Sequence, residues 1–355
     1  MPRRALVVKV GSSTLVDGRG RPRRGVFGRL GGELAAAAVA GTPVVLVSSG
    51  AIALGLAASG RTTRPGRVNE LQAASAIGQP ELQRRWQKAL ARGGADAAQV
   101  LLTAGDVHRR DAYVNARSTL ETLLRWGMVP VINENDSTST DEIAFGDNDT
   151  LAAHVAVLLR ARTLLLLTDT DGLYDRDPRG HGARLLAEVS EPELLARLEL
   201  GGRGSHWGSG GMRSKALAAG MAAAGGVDAV IASGIRPGVI GEAAAGRSPG
   251  TRFPANPSPL SAYKLWLRYG RPVRGRLTLD AGARRAVAAD GTSLLPVGVT
   301  AVSGGFAAGD SVELAGPDGD VFAVGLSEYP ARELADLAGS RGAGEAVHRD
   351  NLVIL

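Results

Sequence analysis

Ala5-Leu6-Val7-Val8-Lys9-Val10-Gly11-Ser12-Ser13 is an apolar run broken by one lysine and closed by a glycine and two hydroxyls. An unalternating Val/Leu run of this length reads as a strand covered on both faces, and the Gly-Ser-Ser after it as the turn leaving the sheet. The same pattern recurs at residues 43–47, 99–102, 129–133, 163–168 and 228–232. Helix-length amphipathic segments lie between them, at 27–40, 80–92, 113–126, 150–160 and 214–224. Strand and helix alternating in this way predict an α/β domain with a largely parallel sheet.

The pattern changes beyond residue 248. Pro249, Pro254, Pro257, Pro259 and Pro272 mark a boundary, because proline interrupts both helix and central strand. Further on, short β-like runs at 275–279, 294–297, 299–302, 311–314 and 321–325 alternate with Gly- and Asp-containing turns, with helix-like segments at 281–289 and 330–338. This predicts a small, mainly β barrel or sandwich. The expected organisation is therefore residues 1–255, a linker at 256–273, and 274–355.

In open α/β sheets ligands bind beyond the carboxyl ends of the strands, so the residues that follow each strand carry the chemistry. Lys9-Val10-Gly11-Ser12-Ser13 can set an ammonium and backbone N–H groups around phosphate oxygens. Ser48-Ser49-Gly50-Ala51 leads into a helix whose N-terminus suits an anion, the plain alternative being an ordinary serine cap. Asn133-Glu134-Asn135-Asp136 and Gly146-Asp147-Asn148-Asp149-Thr150 cluster acids and amides that suit an ammonium group or a magnesium ion carried on phosphates. Thr168-Asp169-Thr170-Asp171-Gly172 is evident turn chemistry. Gly208-Ser209-Gly210-Gly211-Met212-Arg213-Ser214-Lys215 precedes a helix, and its lysine can meet a phosphoryl group in transfer. It is not a P-loop, since Gly-Lys occurs nowhere in the chain.

Composition narrows the chemistry. The chain has 355 residues and no cysteine, which excludes disulfides, zinc–thiolate sites and thiol nucleophiles. Its five histidines are scattered without ligand spacing, so no protein-built metal site is expected. Only Lys9, Lys88, Lys215 and Lys264 are lysines among 41 basic residues. In so arginine-rich a chain, the two lysines in glycine-rich loops mark places that need a compact ammonium. The formal net charge is +6, yet residues 274–355 hold seven arginines, no lysine and eleven Asp plus Glu, a net −4. RNA binding through this tail, the reading from a different class, sits poorly with that charge and with only Phe306, Phe322 and Tyr329 as aromatics. The apolar run after Arg4 stops at Lys9, too short for a signal sequence, and no segment reaches the ~18 apolar residues of a membrane span. A cytoplasmic protein without membrane contact is expected.

The ordered set of strand ends resembles the amino-acid kinase family. The matching runs are Val8–Ser13, Val47–Ile52, Pro130–Asp136, Gly146–Asp149, Leu167–Tyr174 and Gly210–Lys215; the tail resembles a PUA domain through residues 293–298, Gly305-Phe306 and Gly309-Asp310. The resemblance implies a three-layer α/β sandwich with a mainly parallel sheet, followed by a PUA-like barrel. It implies phosphorylation of the side-chain carboxylate of L-glutamate by ATP with magnesium, the first step of proline biosynthesis. Lys9 and Lys215 would neutralise the phosphoryl group in flight, with Asp149 orienting them. Ser49, Asp136, Asn148 and Asn133 would bind glutamate; Lys9, Thr168, Asp169, Ser209, Gly210, Gly211, Met212, Arg213, Ser214 and Lys215 would hold ATP. Inhibition by proline and a homo-oligomer also follow from the family. N-acetylglutamate kinase, aspartokinase and uridylate kinase share the fold, but a free α-ammonium wants a carboxylate partner, and Asp136 offers one.

Overall fold

The computed structural model describes residues 4–17, 20–61, 63–138, 148–178, 182–190, 211–270, 273–342 and 344–355. The chain divides into two compact units, Met1–Pro259 and Leu260–Leu355.

The first unit is built on a seven-stranded sheet. Its strands are β1 (Leu6–Val10), β2 (Val44–Ser48), β3 (Ala97–Leu102), β4 (Val129–Glu134), β5 (Thr163–Thr168), β6 (Asp228–Ser233) and β7 (Thr251–Phe253), in the order β3-β4-β2-β1-β5-β6-β7. All pairings are parallel except β6 with β7. After β1 the chain builds β2, β3 and β4 on one side, then β5, β6 and β7 on the other. The carboxyl end of β1 is thus the point where the winding reverses, the usual place for a ligand in such a sheet.

Every residue of β1, β2, β4 and β5 is buried, as the unalternating apolar runs require. Side chains at Leu6, Val8 and Val10 join the core formed with the helices Val26–Val39, Ala51–Ala58, Val68–Ala91 and Val239–Ala244. Alternation along the strand turns Val7 and Lys9 to the opposite face. There the helix Asn148–Leu158 packs on β1, and the helix Met212–Ala224 packs on it and on β5. Helices on both faces complete the three layers.

Two findings depart from the sequence reading. The segment expected as a helix from residue 80 is a 24-residue helix, Val68–Ala91, with Pro80 inside it. Proline favours a first turn, which is why its position reads as a start; in the interior it removes the hydrogen bond to the carbonyl of Ala76 and crowds it. The buried stripe Ala74, Ser75, Gly78, Gln79, Leu82, Trp86, Ala89 and Leu90 keeps helical spacing on both sides of it. Likewise β7 lies between Pro249 and Pro254, in the stretch read as a boundary. As an antiparallel edge strand it tolerates prolines at its ends.

The second unit holds a five-stranded sheet: β8 (Val273–Leu279), β9 (Val299–Gly304), β10 (Ser311–Ala315), β11 (Val321–Leu326) and β12 (Leu352–Ile354), ordered β12-β11-β10-β8-β9. Leu277, Leu279, Leu294, Val312, Leu314, Ala323 and Leu334 form its core. Residues 294–297, expected as a strand, make one bridge (Leu294 with Val347) and a 3-10 turn, Pro296–Gly298. Pro296 has no N–H to give to a ladder. Within the expected linker, Ala262–Tyr269 is a helix capped by Ser261. Its Leu267 is buried with Val324 and Val353, and the Lys264 ammonium donates to the carbonyls of Arg349, Asp350 and Leu352.

Candidate active site

Lys9 leaves β1 on the face covered by the helix Asn148–Leu158, whose first turn carries Asp149. Lys9 Nζ lies 2.6 Å from Asp149 Oδ1, and Lys215 Nζ lies 3.2 Å from Asp149 Oδ2. The Ser214 hydroxyl donates to the same Oδ2 at 3.4 Å. Lys9, Asp149 and Lys215 are 2%, 0% and 7% exposed. A helix N-terminus favours the Asp149 carboxylate. Two buried ammoniums share it, and ammoniums held in a low-dielectric setting suit the negative charge of a phosphoryl group.

On the other side of β1, β2 ends at Ser48, and Gly50 takes φ +111° to start the helix Ala51–Ala58. That left-handed turn is open to glycine at little cost, and it presents Ser49 at the strand end. Asn148 Nδ2 donates to Ser49 Oγ at 3.0 Å and to Asn133 Oδ1 at 2.8 Å. Asn133 Nδ2 donates in turn to Gln79 Oε1 at 2.7 Å. Below them the indole of Trp86 donates to Ser48 Oγ at 2.8 Å. Asn148 Oδ1 is buried and has no hydrogen-bond partner among the described residues.

Asp136, two residues beyond β4, accepts from Ser75 Oγ at 2.5 Å. Burial pushes its carboxyl above the usual range, while the Ser75 hydrogen bond and the charge of Arg64 pull the other way. Burial also lowers the Arg64 guanidinium, against the attraction of Asp136.

On the β5 side, Thr168 Oγ1 donates to Asp169 Oδ1 at 3.2 Å, and the Thr168 carbonyl accepts from Gly234 N at 2.7 Å. Gly211 is the N-cap of the helix Met212–Ala224, which carries Met212, Arg213, Ser214 and Lys215 in its first turn. Ser209, Gly210 and Asp147 lie outside the described residues. No group of three or more His, Asp or Glu gathers as a metal cage among the described residues.

The structure thus brings Lys9, Asp149 and Lys215 together, and Ser49, Asn133 and Asn148 together. Lys88 lies elsewhere, in a groove of about 350 Å³ with Arg84, Arg85, Arg92 and Phe27. Ser75, Gln79 and Arg64 were not singled out from the sequence. The signal was present: Ser75 and Gln79 are polar residues one turn apart on an apolar helical stripe. Starting the helix at residue 80 removed both from view.

A parallel sheet with paired buried lysines at its winding reversal defines a phosphotransferase of the amino acid kinase class. The profile of the amino acid kinase family matches residues 4–233, and that of the PUA domain matches residues 275–349. The chain is 46% identical over 365 residues to a glutamate 5-kinase of Burkholderia multivorans, covering 99% of this chain and 97% of that one. It is 47% identical over 367 residues to a glutamate 5-kinase of Ralstonia nicotianae, with the same coverage. An isopentenyl phosphate kinase structure superposes with a TM-score of 0.51 at 21% identity, over 70% of this chain and 99% of that chain, a likeness of fold. The chain belongs to the amino acid kinase family, in its glutamate 5-kinase branch with a C-terminal PUA domain.

Proposed function

We propose that this protein transfers the γ-phosphoryl group of ATP to the side-chain carboxylate of L-glutamate, forming L-glutamyl 5-phosphate, the first intermediate of proline biosynthesis. The observation that carries this reading is the fully buried Asp149 held between Lys9 and Lys215.

A carboxylate is already a nucleophile at neutral pH, so the reaction needs no strong general base. It needs two anions brought together, in line and away from water. A side-chain carboxylate oxygen forms a bond to the γ-phosphorus as the bond to the β–γ bridging oxygen breaks, and ADP departs with that electron pair. Lys9 and Lys215 neutralise the charge that spreads over the transferring group, and Asp149 holds both ammoniums in place. Thr168, Asp169 and the loop from Ser209 to Lys215 hold the nucleotide. Magnesium, bound with the phosphates, supplies further charge neutralisation.

Ser49, Asn148, Asn133 and Asp136 hold glutamate, with Asp136 facing its α-ammonium. An acetylated amine could not pair with that carboxylate as an ammonium does, which favours glutamate over N-acetylglutamate. Feedback inhibition by proline, assembly of identical subunits and a cytoplasmic location belong to the same reading, by resemblance to the family. No helix among the described residues is long and apolar enough to cross a membrane.

The test is ATP-dependent acyl-phosphate formation trapped as a hydroxamate, with L-glutamate, N-acetylglutamate and aspartate offered separately. Product with glutamate, lost in Lys215→Ala, is expected. Product only with another acceptor would move the substrate, and silence with all three would end the kinase reading.

A further inference from the structure

We propose that Ser75 and Gln79 are positioning residues that fix which atoms of the site accept hydrogen bonds from the substrate's α-ammonium. The inference rests on the glutamate reading above and concerns two residues that touch the site only through others.

The case begins with the direction of the amide relay. A carboxamide donates only through nitrogen and accepts only through oxygen. Gln79 Oε1 accepts from Asn133 Nδ2, so Asn133 must present its oxygen to the next group, and Asn148 Nδ2 donates to it. The other hydrogen of Asn148 serves Ser49 Oγ. Reversing Asn148 would set two carbonyl oxygens against each other. Its Oδ1 is therefore left as a buried acceptor without a partner among the described residues. A buried acceptor of this kind is costly until a donor arrives, and an ammonium is a donor with no acceptor character. Gln79, itself 8% exposed, sets the polarity of the whole relay from its far end.

Ser75 does the same for the second acceptor. Its hydroxyl, 3% exposed, donates to Asp136 Oδ2 and so holds one oxygen of the carboxylate in a fixed place beside the charge of Arg64. Ser75 and Gln79 are four residues apart on one helix, so they leave it on the same face about one turn apart, roughly 5–6 Å between Cβ atoms. One helix thus holds both the Asp136 carboxylate and the Asn133–Asn148 relay.

The helix cannot slide to change this. A Cβ at Gly78 would stand 1.9 Å from the Ala51 carbonyl oxygen, and one at Gly55 would stand 1.8 Å from that of Ala74. Backbone meets backbone at this crossing. The helix Ala51–Ala58, which begins beside Ser49, and the helix bearing Ser75 and Gln79 are locked in register.

The test is steady-state kinetics of the full-length protein carrying Gln79→Met, Gln79→Glu or Ser75→Ala. Methionine keeps the volume but offers no comparable acceptor; glutamate keeps an acceptor for Asn133. Loss of an oriented hydrogen bond to a charged group predicts a KM for L-glutamate raised roughly tenfold or more in Gln79→Met and Ser75→Ala. KM for ATP should stay near the parent value, and the preference for L-glutamate over N-acetylglutamate should narrow. Gln79→Glu should recover most of the KM effect. The inference is overturned by an unchanged KM for glutamate in Ser75→Ala, which removes one atom and serves even if Gln79→Met does not fold. It is also overturned if the KM values for glutamate and ATP rise together, or if Gln79→Glu behaves like Gln79→Met. A parent protein that makes no acyl phosphate from glutamate would defeat the functional reading instead, so the two failures are distinguishable.

Discussion

Asp149 serves two lysines at once, and its removal has consequences on both stability and rate. In Asp149→Asn the ammoniums of Lys9 and Lys215 lose the carboxylate that both of them pair with. Breaking a buried ion pair on one side costs about 3 kcal/mol or more, visible as a lower urea midpoint. The lysines also lose their alignment on the phosphoryl group, so kcat should fall roughly a hundredfold or more. KM for glutamate should change less than kcat, because the proposed role of Asp149 is to hold the lysines and not to bind the acceptor. Asp136 behaves in the opposite way. Its carboxyl is raised mainly by burial, so the fold favours its neutral form. That contribution to stability is complete below the ordinary carboxylate range and is lost as pH rises through the raised value. Asp136→Asn should therefore melt no lower than the parent protein at pH 8, while its KM for glutamate rises roughly a hundredfold. In the parent, KM for glutamate should climb as pH falls through the raised value, because a neutral carboxyl no longer pairs with an ammonium. A KM flat across that range, or a clearly less stable asparagine variant, would contradict the assignment.

Among the elements, the crossing of the helices Ala51–Ala58 and Val68–Ala91 is the most exacting. Gly55→Ala or Gly78→Ala would drive a methyl into backbone, and overpacking of this kind costs about 3 kcal/mol. If the helices part to make room, Ser75 and Gln79 move with them, so KM for glutamate should rise in any variant that still folds. Gly32, in the helix Val26–Val39, offers the contrast: a Cβ there meets nothing within 4 Å. Gly32→Ala should stabilise by about 0.5–1 kcal/mol through helix propensity alone. Both changes are read by urea unfolding. Equal effects at positions 32 and 55 would mean that the crossing is not tight.

For the whole molecule, the proposed chemistry and the C-terminal sheet occupy separate units. Every group of the candidate site lies within Met1–Pro259. A protein ending at Pro259 should retain hydroxamate formation from glutamate within a few-fold of the full chain. A fragment beginning at residue 274 should behave badly in solution, because it leaves out the helix Ala262–Tyr269 and uncovers Val324 and Val353. One beginning at Leu260 should remain monomeric in size-exclusion chromatography. A well-behaved 274–355 fragment would show that the helix is dispensable to that unit. The boundary prolines mark where composition changes, but the packing of Leu267 decides which side of the boundary the helix joins.

How much of this was legible depends on the range of the interaction involved. Lys9, Ser49, Asn133, Asn148, Asp149, Thr168 and Lys215 stand at strand ends or helix starts. A parallel sheet gathers its carboxyl ends along one edge, so residues read one by one after successive strands come together in the fold. Period and composition, both local properties, determined the layers and the change to a mainly β tail. The tertiary structure alone decided what the middle of a helix would touch. Ser75 and Gln79 lie 61 and 54 residues from their partners Asp136 and Asn133, and no local pattern encodes a hydrogen bond across that separation. Pro80, locally a start signal, was overruled by the buried stripe that continues through it. Tertiary burial outweighed a local preference there, and with that the amide relay acquired its direction.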